Sequence, residues 1–164
     1  MATVTVRRVI AAPIGEVFDW CATTTNYTRT RFVLRARLAR PGAGAAYGVG
    51  AVRVHTWLIG WFRERITSYH PPYDFDYTVD RSFPPARHEL GRMTFTEVDG
   101  GTLVVWETAF RLPAPFGDAF ARVVGAPVIG HVFGRILAAA DRALTAGAGG
   151  PRGRVPGEPP TALR

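Results

Sequence analysis

The sequence contains little cysteine, no lysine and no long apolar run. Cys21 is the only cysteine among 164 residues, which excludes an intramolecular disulfide and any metal site built from several thiolates. No apolar run reaches the ~18 residues that a membrane-spanning helix needs. Arg7 and Arg8 interrupt the apolar core that a signal peptide would require. Together these absences favour a cytoplasmic protein that does not span a membrane.

Residue types for several common kinds of catalysis are also scarce. The four histidines show neither HxH nor HxxxH spacing, so no zinc site is expected. Ser68 and Ser82 are the only serines, and neither lies in a nucleophile-elbow motif. Gly48 and Gly50 precede a strand and not a helix, which argues against a nucleotide-binding loop. We therefore expect no metal and no other cofactor, and a serine hydrolase is not indicated.

The remaining composition is typical of one globular domain with excess positive charge. Hydrophobic residues make up 47% and charged residues 20% of the chain, and the formal net charge is +7. Five arginines fall within a short segment: Arg29, Arg31, Arg35, Arg37 and Arg40. They could form a patch for an anion, a nucleic acid or a membrane surface, or the solvated side of an early strand. The second interpretation is favoured, and nucleic acid is not expected as a partner, because only Phe32 is aromatic in this segment.

Alternating and helical patterns predict an α+β protein. Residues 3–10 alternate as a strand, and Pro13 begins a short helix, with a second short helical turn over about 27–31. A meander of about six strands follows, over residues 32–40, 49–58, 61–69, 75–79, 89–97 and 102–112. Ile59 and Gly60 are the predicted two-residue loop of the hairpin 50–69.

An apolar helical segment over residues 113–144 follows the last strand. Before Gly125, one apolar stripe consists of Phe116, Phe120, Val123 and Val124. After Pro127, a second stripe lies on the opposite face at 100° per residue. One continuous helix cannot bury both stripes against one surface. The sequence therefore predicts a short helix over about 116–124, a break or kink at 125–127, and a main helix over about 127–145.

The end of the chain differs in composition from the rest. From Ala146 the sequence is rich in glycine, proline and arginine and has almost nothing to bury. It is predicted to be disordered. The predicted organisation is one domain over residues 1–145 and a disordered tail over residues 146–164.

Short motifs along most of the chain resemble those of a known superfamily in their order and spacing. They are Ala12-Pro13 with Val17-Phe18, Gly48-x-Gly50-x-x-Arg53, Arg65-Ile66-Thr67, Pro71-Pro72 with Phe75-x-Tyr77, Gly91, and Asp99-Gly100-Gly101-Thr102-x-Val104-x-Trp106. Together with the terminal helix they resemble the START-like, or Bet v 1-like, superfamily. It includes the polyketide cyclase/dehydrase and lipid transport family, often called SRPBCC.

The resemblance implies a helix-grip fold. In that fold a curved antiparallel sheet of about seven strands wraps around a long C-terminal helix, with two short helices after the first strand. A lipophilic cavity lies between sheet and helix. Members of the superfamily bind or carry lipids, sterols, hormones or polyketides, and a minority catalyse cyclisation, aromatisation or dehydration.

The hairpin 50–69 supplies the candidate site. With Ile59-Gly60 as the loop, His55 lies opposite Glu64 and Arg53 lies opposite Ile66. A one-residue slip would place arginines opposite His55 and Arg53, which is unfavourable. Arg53, His55 and Glu64 then share a face with apolar side chains, and the resemblance places Ile66, Tyr77 and Trp106 inward as well. The predicted ligand-binding residues are Arg53, His55, Trp57, Phe62, Glu64, Ile66, Tyr77, Trp106 and Phe133.

Three functions remain open at this point. The favoured one is binding of a small hydrophobic, lipid- or polyketide-like ligand by a carrier, sensor or sequestering protein. The alternative is a polyketide cyclase, aromatase or dehydratase in which Arg53, His55 and Glu64 do acid–base work. If these three residues have no role in function, they form an inert buried ion pair or a pair at the sheet edge that faces water. The third function is binding of an anionic partner through the arginines, which predicts steep salt dependence.

Other features carry weaker predictions. His88 is expected in a loop or at a sheet edge, His131 on the surface, and Cys21 in the core as a small apolar residue. The segment 104–106 is apolar on both faces, so a homodimer is a candidate assembly.

Overall fold

In the computed structural model, which describes residues 1–148, seven strands form one antiparallel sheet around a long C-terminal helix. The strands are β1 (Ala2–Ile10), β2 (Val33–Arg40), β3 (Val52–Trp57), β4 (Gly60–His70), β5 (Asp74–Phe83), β6 (Arg87–Val98) and β7 (Gly101–Arg111). Between β1 and β2 lie helix α1 (Ile14–Ala22) and a 3₁₀ helix (Thr24–Arg29). The predicted α+β class and helix-grip fold are confirmed.

The strand order is β1-β7-β6-β5-β4-β3-β2, so β1 and β2 are the two edges of the sheet. Alternation in β1 buries Ala2, Val4 and Ile10 and leaves the residues between them exposed or half-buried. The five clustered arginines, on and just before the edge strand β2, are all exposed. Charged side chains on an edge strand discourage pairing with another sheet.

Helix α1 fills one end of the sheet's concave face. Phe18 is fully buried there, with ring centroids 5.3 Å from Tyr69, 5.9 Å from Phe75 and 5.2 Å from Phe95. These edge-to-face contacts close the core near the β6–β7 turn. At the opposite end of the sheet, near the β3–β4 turn, α1 does not cover the concave face.

The C-terminal helix α2 is continuous over residues 117–148. Of the predicted break or kink at 125–127, the break is therefore wrong. The helix consists of α-helical Gly117–Phe120, a π-helical turn Ala121–Gly125 and α-helical Ala126–Ala148. In the wider π turn the Ala126 N–H donates to the Ala121 carbonyl, five residues back. Pro127, which has no N–H to donate, follows this turn directly. The helix also extends three residues beyond the predicted domain end at 145, and residues 149–164 of the predicted tail lie outside the described residues.

The two apolar stripes of α2 have different environments. The second stripe is in the core, where Val132, Phe133, Ile136 and Leu137 are at most 3% exposed. The first stripe is partly exposed: Phe116 47%, Phe120 41%, Val123 75% and Val124 41%. As the sequence predicted, the continuous helix therefore does not bury both stripes. By length and composition residues 117–146 could cross a bilayer, but the buried second stripe makes this segment the core helix of the fold.

The hairpin β3–β4 has a different register from the predicted one. Trp57 pairs with Gly60, His55 with Phe62 and Arg53 with Glu64, so Leu58 and Ile59 form the turn. The shift is two residues, so the same side chains still share a face. Contrary to the prediction, Gly60 is not in the turn but is the first residue of β4, where the backbone conformation and a close neighbour both favour glycine. Its φ is 146°, and an added Cβ would collide with the carbonyl oxygen of Phe83.

We expect Gly60→Ala to lower the free energy of unfolding by about 1–3 kcal/mol, because the methyl group collides with the backbone of β5. Gly134→Ala in α2 is the matched control, since its Cβ would meet nothing within 4 Å. It should raise stability by up to ~1 kcal/mol. Urea denaturation followed by circular dichroism measures both changes. Wild-type stability of Gly60→Ala would contradict the close approach of β4 and β5.

Candidate functional site

A cavity of about 330 Å³ lies between the sheet and α2, at the end that α1 leaves open. Its size is within the range of small-molecule sites. Strands β3 to β7, the 3₁₀ helix and α2 contribute to its wall. The lining residues include Tyr27, Trp57, Ile59, Phe62, Glu64, Tyr77, Val79, Pro84, His88, Trp106, Thr108, Phe110, Phe116, Phe120, Val124, Val128, Ile129 and Phe133. Ile59, Phe116 and Phe120 are more than one-third exposed, so they mark the mouth.

The wall is mostly aromatic. The Trp106 and Phe133 rings stack with centroids 3.6 Å apart and planes 6° apart, joining β7 to α2. Trp57 packs against Phe62 at 4.9 Å and against Phe133 at 6.1 Å. Rings fixed on both the sheet and the helix give the cavity a defined apolar surface.

A charged cluster lies behind one side of this wall. Arg53 Nη2 donates to Glu64 Oε2 at 3.0 Å, and the guanidinium lies 5.4 Å from the Phe75 ring centroid and 5.5 Å from that of Tyr77. His55 Nε2 contacts Glu64 Oε1. Arg53 and His55 are each 1% exposed and Glu64 is 6% exposed. The cluster is therefore inside the protein, and neither Arg53 nor Glu64 faces bulk solvent.

The last residue of α1 and the 3₁₀ helix complete this cluster. The buried Thr24 hydroxyl lies 2.8 Å from His55 Nε2, and the Ala22 carbonyl accepts from Arg53 Nη1 at 3.5 Å. The Tyr27 ring packs against the His55 ring, with centroids 5.5 Å apart. The end of α1 and the 3₁₀ helix therefore hold the side chains of Arg53 and His55 in place.

Glu64 is ionised over the whole ordinary pH range. Burial acts to raise its pKa, but the charges of Arg53 and His55 and their hydrogen bonds outweigh burial and lower the pKa to about 2. Glu64 alone among the three reaches the cavity wall. It presents a carboxylate that accepts hydrogen bonds and does not donate them.

A second polar group lies across β5, β6 and β7. The Val79 backbone N–H donates to His88 Nδ1 at 3.2 Å, so the ring proton is on Nε2, which lies 3.0 Å from Thr108 Oγ1. Burial lowers the pKa of His88, which favours the neutral ring. Trp106 Nε1 donates to the Tyr77 hydroxyl at 2.9 Å, and burial raises the pKa of Tyr77. Tyr77 thus keeps its proton and can donate it.

The structure divides the predicted ligand-binding residues into two groups. Trp57, Phe62, Glu64, Tyr77, Trp106 and Phe133 line the cavity. Arg53, His55 and Ile66 do not, although all three are buried. They lie on the correct face of the sheet, but the cavity is at the open end. Phe75 and the Ala22 carbonyl lie against Arg53, and Thr24 and Tyr27 of the 3₁₀ helix lie against His55. Arg53 and His55 act on the cavity only through Glu64.

Sequence reasoning missed several lining residues. His88, expected in a loop or at an edge, belongs to β6, in the part of that strand that pairs with β7 and not with β5, and it lines the cavity. Gly91 was the one residue in the sequence that could have pointed to this contact, because the Tyr77 and His88 rings leave room only for glycine there. A Cβ on residue 91 would lie 2.5 Å from the Tyr77 ring and 2.8 Å from the His88 ring. Tyr27, which lines the cavity, and Thr24, which contacts His55, had no signal, since their positions depend on how the 3₁₀ helix packs. His131 is exposed, Cys21 is buried, and no metal-binding cluster occurs within residues 1–148.

An antiparallel sheet gripping a long helix over an apolar cavity defines the Bet v 1-like class of helix-grip proteins. The family described as "Polyketide cyclase / dehydrase and lipid transport" matches residues 1–146. The chain therefore belongs to this SRPBCC-type family.

Solved structures with this fold have low sequence identity to the chain. TTHA0849 from Thermus thermophilus has a TM-score of 0.73 at 14% identity, covering 89% of this chain and 99% of that one. The Aha1 dimer from Colwellia psychrerythraea gives 0.63 at 14%, covering 91% and 100%. DynU16, from the dynemicin biosynthetic locus, gives 0.62 at 12%, covering 90% and 48%. A search of curated proteins gives no match.

We expect Glu64→Gln to lower stability at neutral pH by about 3–5 kcal/mol, because it leaves Arg53 buried without a counter-ion. The pKa of Glu64 is about 2 in the folded protein against an ordinary 4.5. The wild type therefore has the full contribution of this group above pH 4.5 and loses it as the pH falls towards 2. The stability difference between wild type and variant should shrink over that interval.

Denaturation curves between neutral pH and pH 2 measure this difference. Glu97→Gln, at an exposed position of β6, is the control and should follow the wild type throughout. A constant difference between wild type and Glu64→Gln at every pH would contradict the assigned role of the cluster.

Proposed function

We propose that the protein binds a small hydrophobic ligand in this cavity as a cytoplasmic carrier, sensor or sequestering protein. The observation that carries the proposal is a cavity of about 330 Å³ walled by aromatic and aliphatic side chains, with one ionised carboxylate at its surface. Apolar surface supplies affinity, and a few fixed polar groups supply orientation.

The polar groups suggest the chemistry of one end of the ligand. Glu64 can accept a hydrogen bond, and Tyr77 can donate one. A hydroxyl or phenol on an otherwise apolar molecule satisfies both, because it donates and accepts. A carboxylate ligand fits less well, since it would place a second negative charge beside Glu64.

Catalysis of a cyclase or dehydratase type is the second candidate, favoured by Glu64 and His88 lining one cavity. DynU16, from a biosynthetic locus, has the same fold. Two features favour binding over catalysis. A pKa of about 2 makes Glu64 a weak base at neutral pH. Both ring nitrogens of His88 are already engaged, by the Val79 N–H and by Thr108.

Native mass spectrometry of gently purified protein tests for a retained ligand. A discrete extra mass that disappears on denaturation would support the carrier or sensor function. A titration with defined probes is the decisive measurement, because Trp57 and Trp106 line the cavity and their fluorescence should change when it is filled.

We expect 2-naphthol to quench tryptophan fluorescence of the wild type, and Val79→Trp to abolish this binding because the new side chain fills the cavity. Val105→Trp is the matched control. Val105 lies on the opposite face of β7 from the buried Val104 and Trp106, so the variant should bind as the wild type does. Undiminished binding by a folded Val79→Trp variant would contradict the proposed site.

We expect Tyr77→Phe to reduce the preference for a hydroxylated probe, because the Phe side chain cannot donate. In the wild type 2-naphthol should bind about 2–10-fold more tightly than naphthalene, the range for one hydrogen bond. In the variant this ratio should fall, because only the hydrogen bond from the probe hydroxyl to Glu64 remains. The ratio of the two affinities is used because any general weakening caused by the unpaired Trp106 N–H affects both probes equally. An unchanged ratio would rule out Tyr77 as the orienting donor.

A further inference from the structure

Three large apolar side chains are exposed around the mouth of the cavity but do not line it. Leu58 is 61% exposed, Phe83 63% and Val123 75%. Each adjoins a lining residue in the sequence, respectively Ile59, Pro84 and Val124. A ligand inside the cavity would cover the lining residues and leave these three in water.

These side chains come from three separate parts of the fold. Leu58 is in the β3–β4 turn, Phe83 ends β5, and Val123 is in the π turn of α2. Each therefore lies beside a lining residue on a different element of the cavity wall. Exposed apolar groups collected in this way mark an interaction site, and we name Leu58, Phe83 and Val123 the mouth rim.

The charge near the mouth rim is positive. Arg81, Arg87 and Arg122 are exposed, and none of them forms an ion pair within the described part of the chain. Arg31 is also exposed, and its guanidinium lies 5.3 Å from the ring centroid of Phe32, which shares a shallow groove with Leu58.

The nearby acidic residues do not offset this charge. Asp118 is already paired with Arg111 and the Met1 amine, and Glu89 with Arg111. The uncompensated charge around the mouth rim is therefore the positive charge of arginine side chains.

We propose that the mouth rim docks on the surface of an anionic lipid bilayer. Leu58, Phe83 and Val123 enter the interface, and the surrounding arginines contact lipid phosphates. Apolar side chains flanked by arginine are the combination that binds such surfaces. A mouth held against the bilayer also lets an apolar ligand pass between hydrocarbon and cavity without crossing water.

A second copy of the chain fits the same surface less well. In a two-fold symmetric dimer each patch meets itself, so unpaired arginines would face unpaired arginines. Opposing like charges are repulsive. An anionic bilayer supplies the opposite charge.

Co-sedimentation with vesicles tests the proposal, using the full chain without added ligand. The protein should partition into phosphatidylcholine vesicles containing phosphatidylglycerol, and less into phosphatidylcholine alone. Binding should weaken as salt rises above about 0.15 M. Val123→Glu and Phe83→Glu should each lower partitioning at least about tenfold, and Arg122→Gln about fivefold.

Val9→Glu is the matched control, because Val9 is 50% exposed on β1 and pairs with Leu103 at the opposite end of the sheet. It should partition as the wild type does. Absence of wild-type binding to the mixed vesicles, or equal losses for Val9→Glu and Val123→Glu, would overturn the proposal. So would a dimer in sedimentation equilibrium that Val123→Glu dissociates while no vesicle is bound. The naphthol titration is independent of these outcomes.

Discussion

Seven strands at a spacing of about 4.8 Å make a sheet about 29 Å wide, whereas one α-helix is about 10 Å across. A single helix cannot cover such a face, even when the sheet curves around it. Here α1 covers one end through Phe18 and the second half of α2 covers the centre. The uncovered remainder is the cavity. Its apolar wall follows from the same alternation of side chains that forms the core, so no additional element of structure is needed to form the site.

Polar groups inside that wall must form hydrogen bonds or ion pairs, and these partners limit the proton transfers that the groups can carry out. Arg53 and His55 stabilise the ionised form of Glu64 and thereby reduce its basicity. The Val79 N–H fixes the tautomer of His88. Glu64 is suited to orienting a ligand, because its fixed carboxylate oxygens can accept a further hydrogen bond without rearrangement. Proton transfer would require one of these bonds to break.

Much of the fold was predictable because period-two alternation, proline and glycine are local signals. The α+β element order and the shared face of Arg53, His55 and Glu64 follow from them, and a two-residue error in register preserved that face. The helix-grip fold itself was implied by the family resemblance. Which of these side chains reach the cavity could not be predicted, because it depends on where α1 and the 3₁₀ helix cover the sheet. The continuity of α2 was missed because a π turn has no simple sequence signature.

The π turn has a consequence for the length of the chain in this region. An i→i+5 hydrogen bond encloses one residue more than an i→i+4 bond. Removing one residue from Ala121–Gly125 would thus restore ordinary α-helical spacing without rotating the flanking segments relative to each other. Helices of this architecture that are one residue shorter at this point can therefore keep the same inward and outward faces. The extra residue changes the local width of the helix beside the mouth and leaves its overall orientation intact.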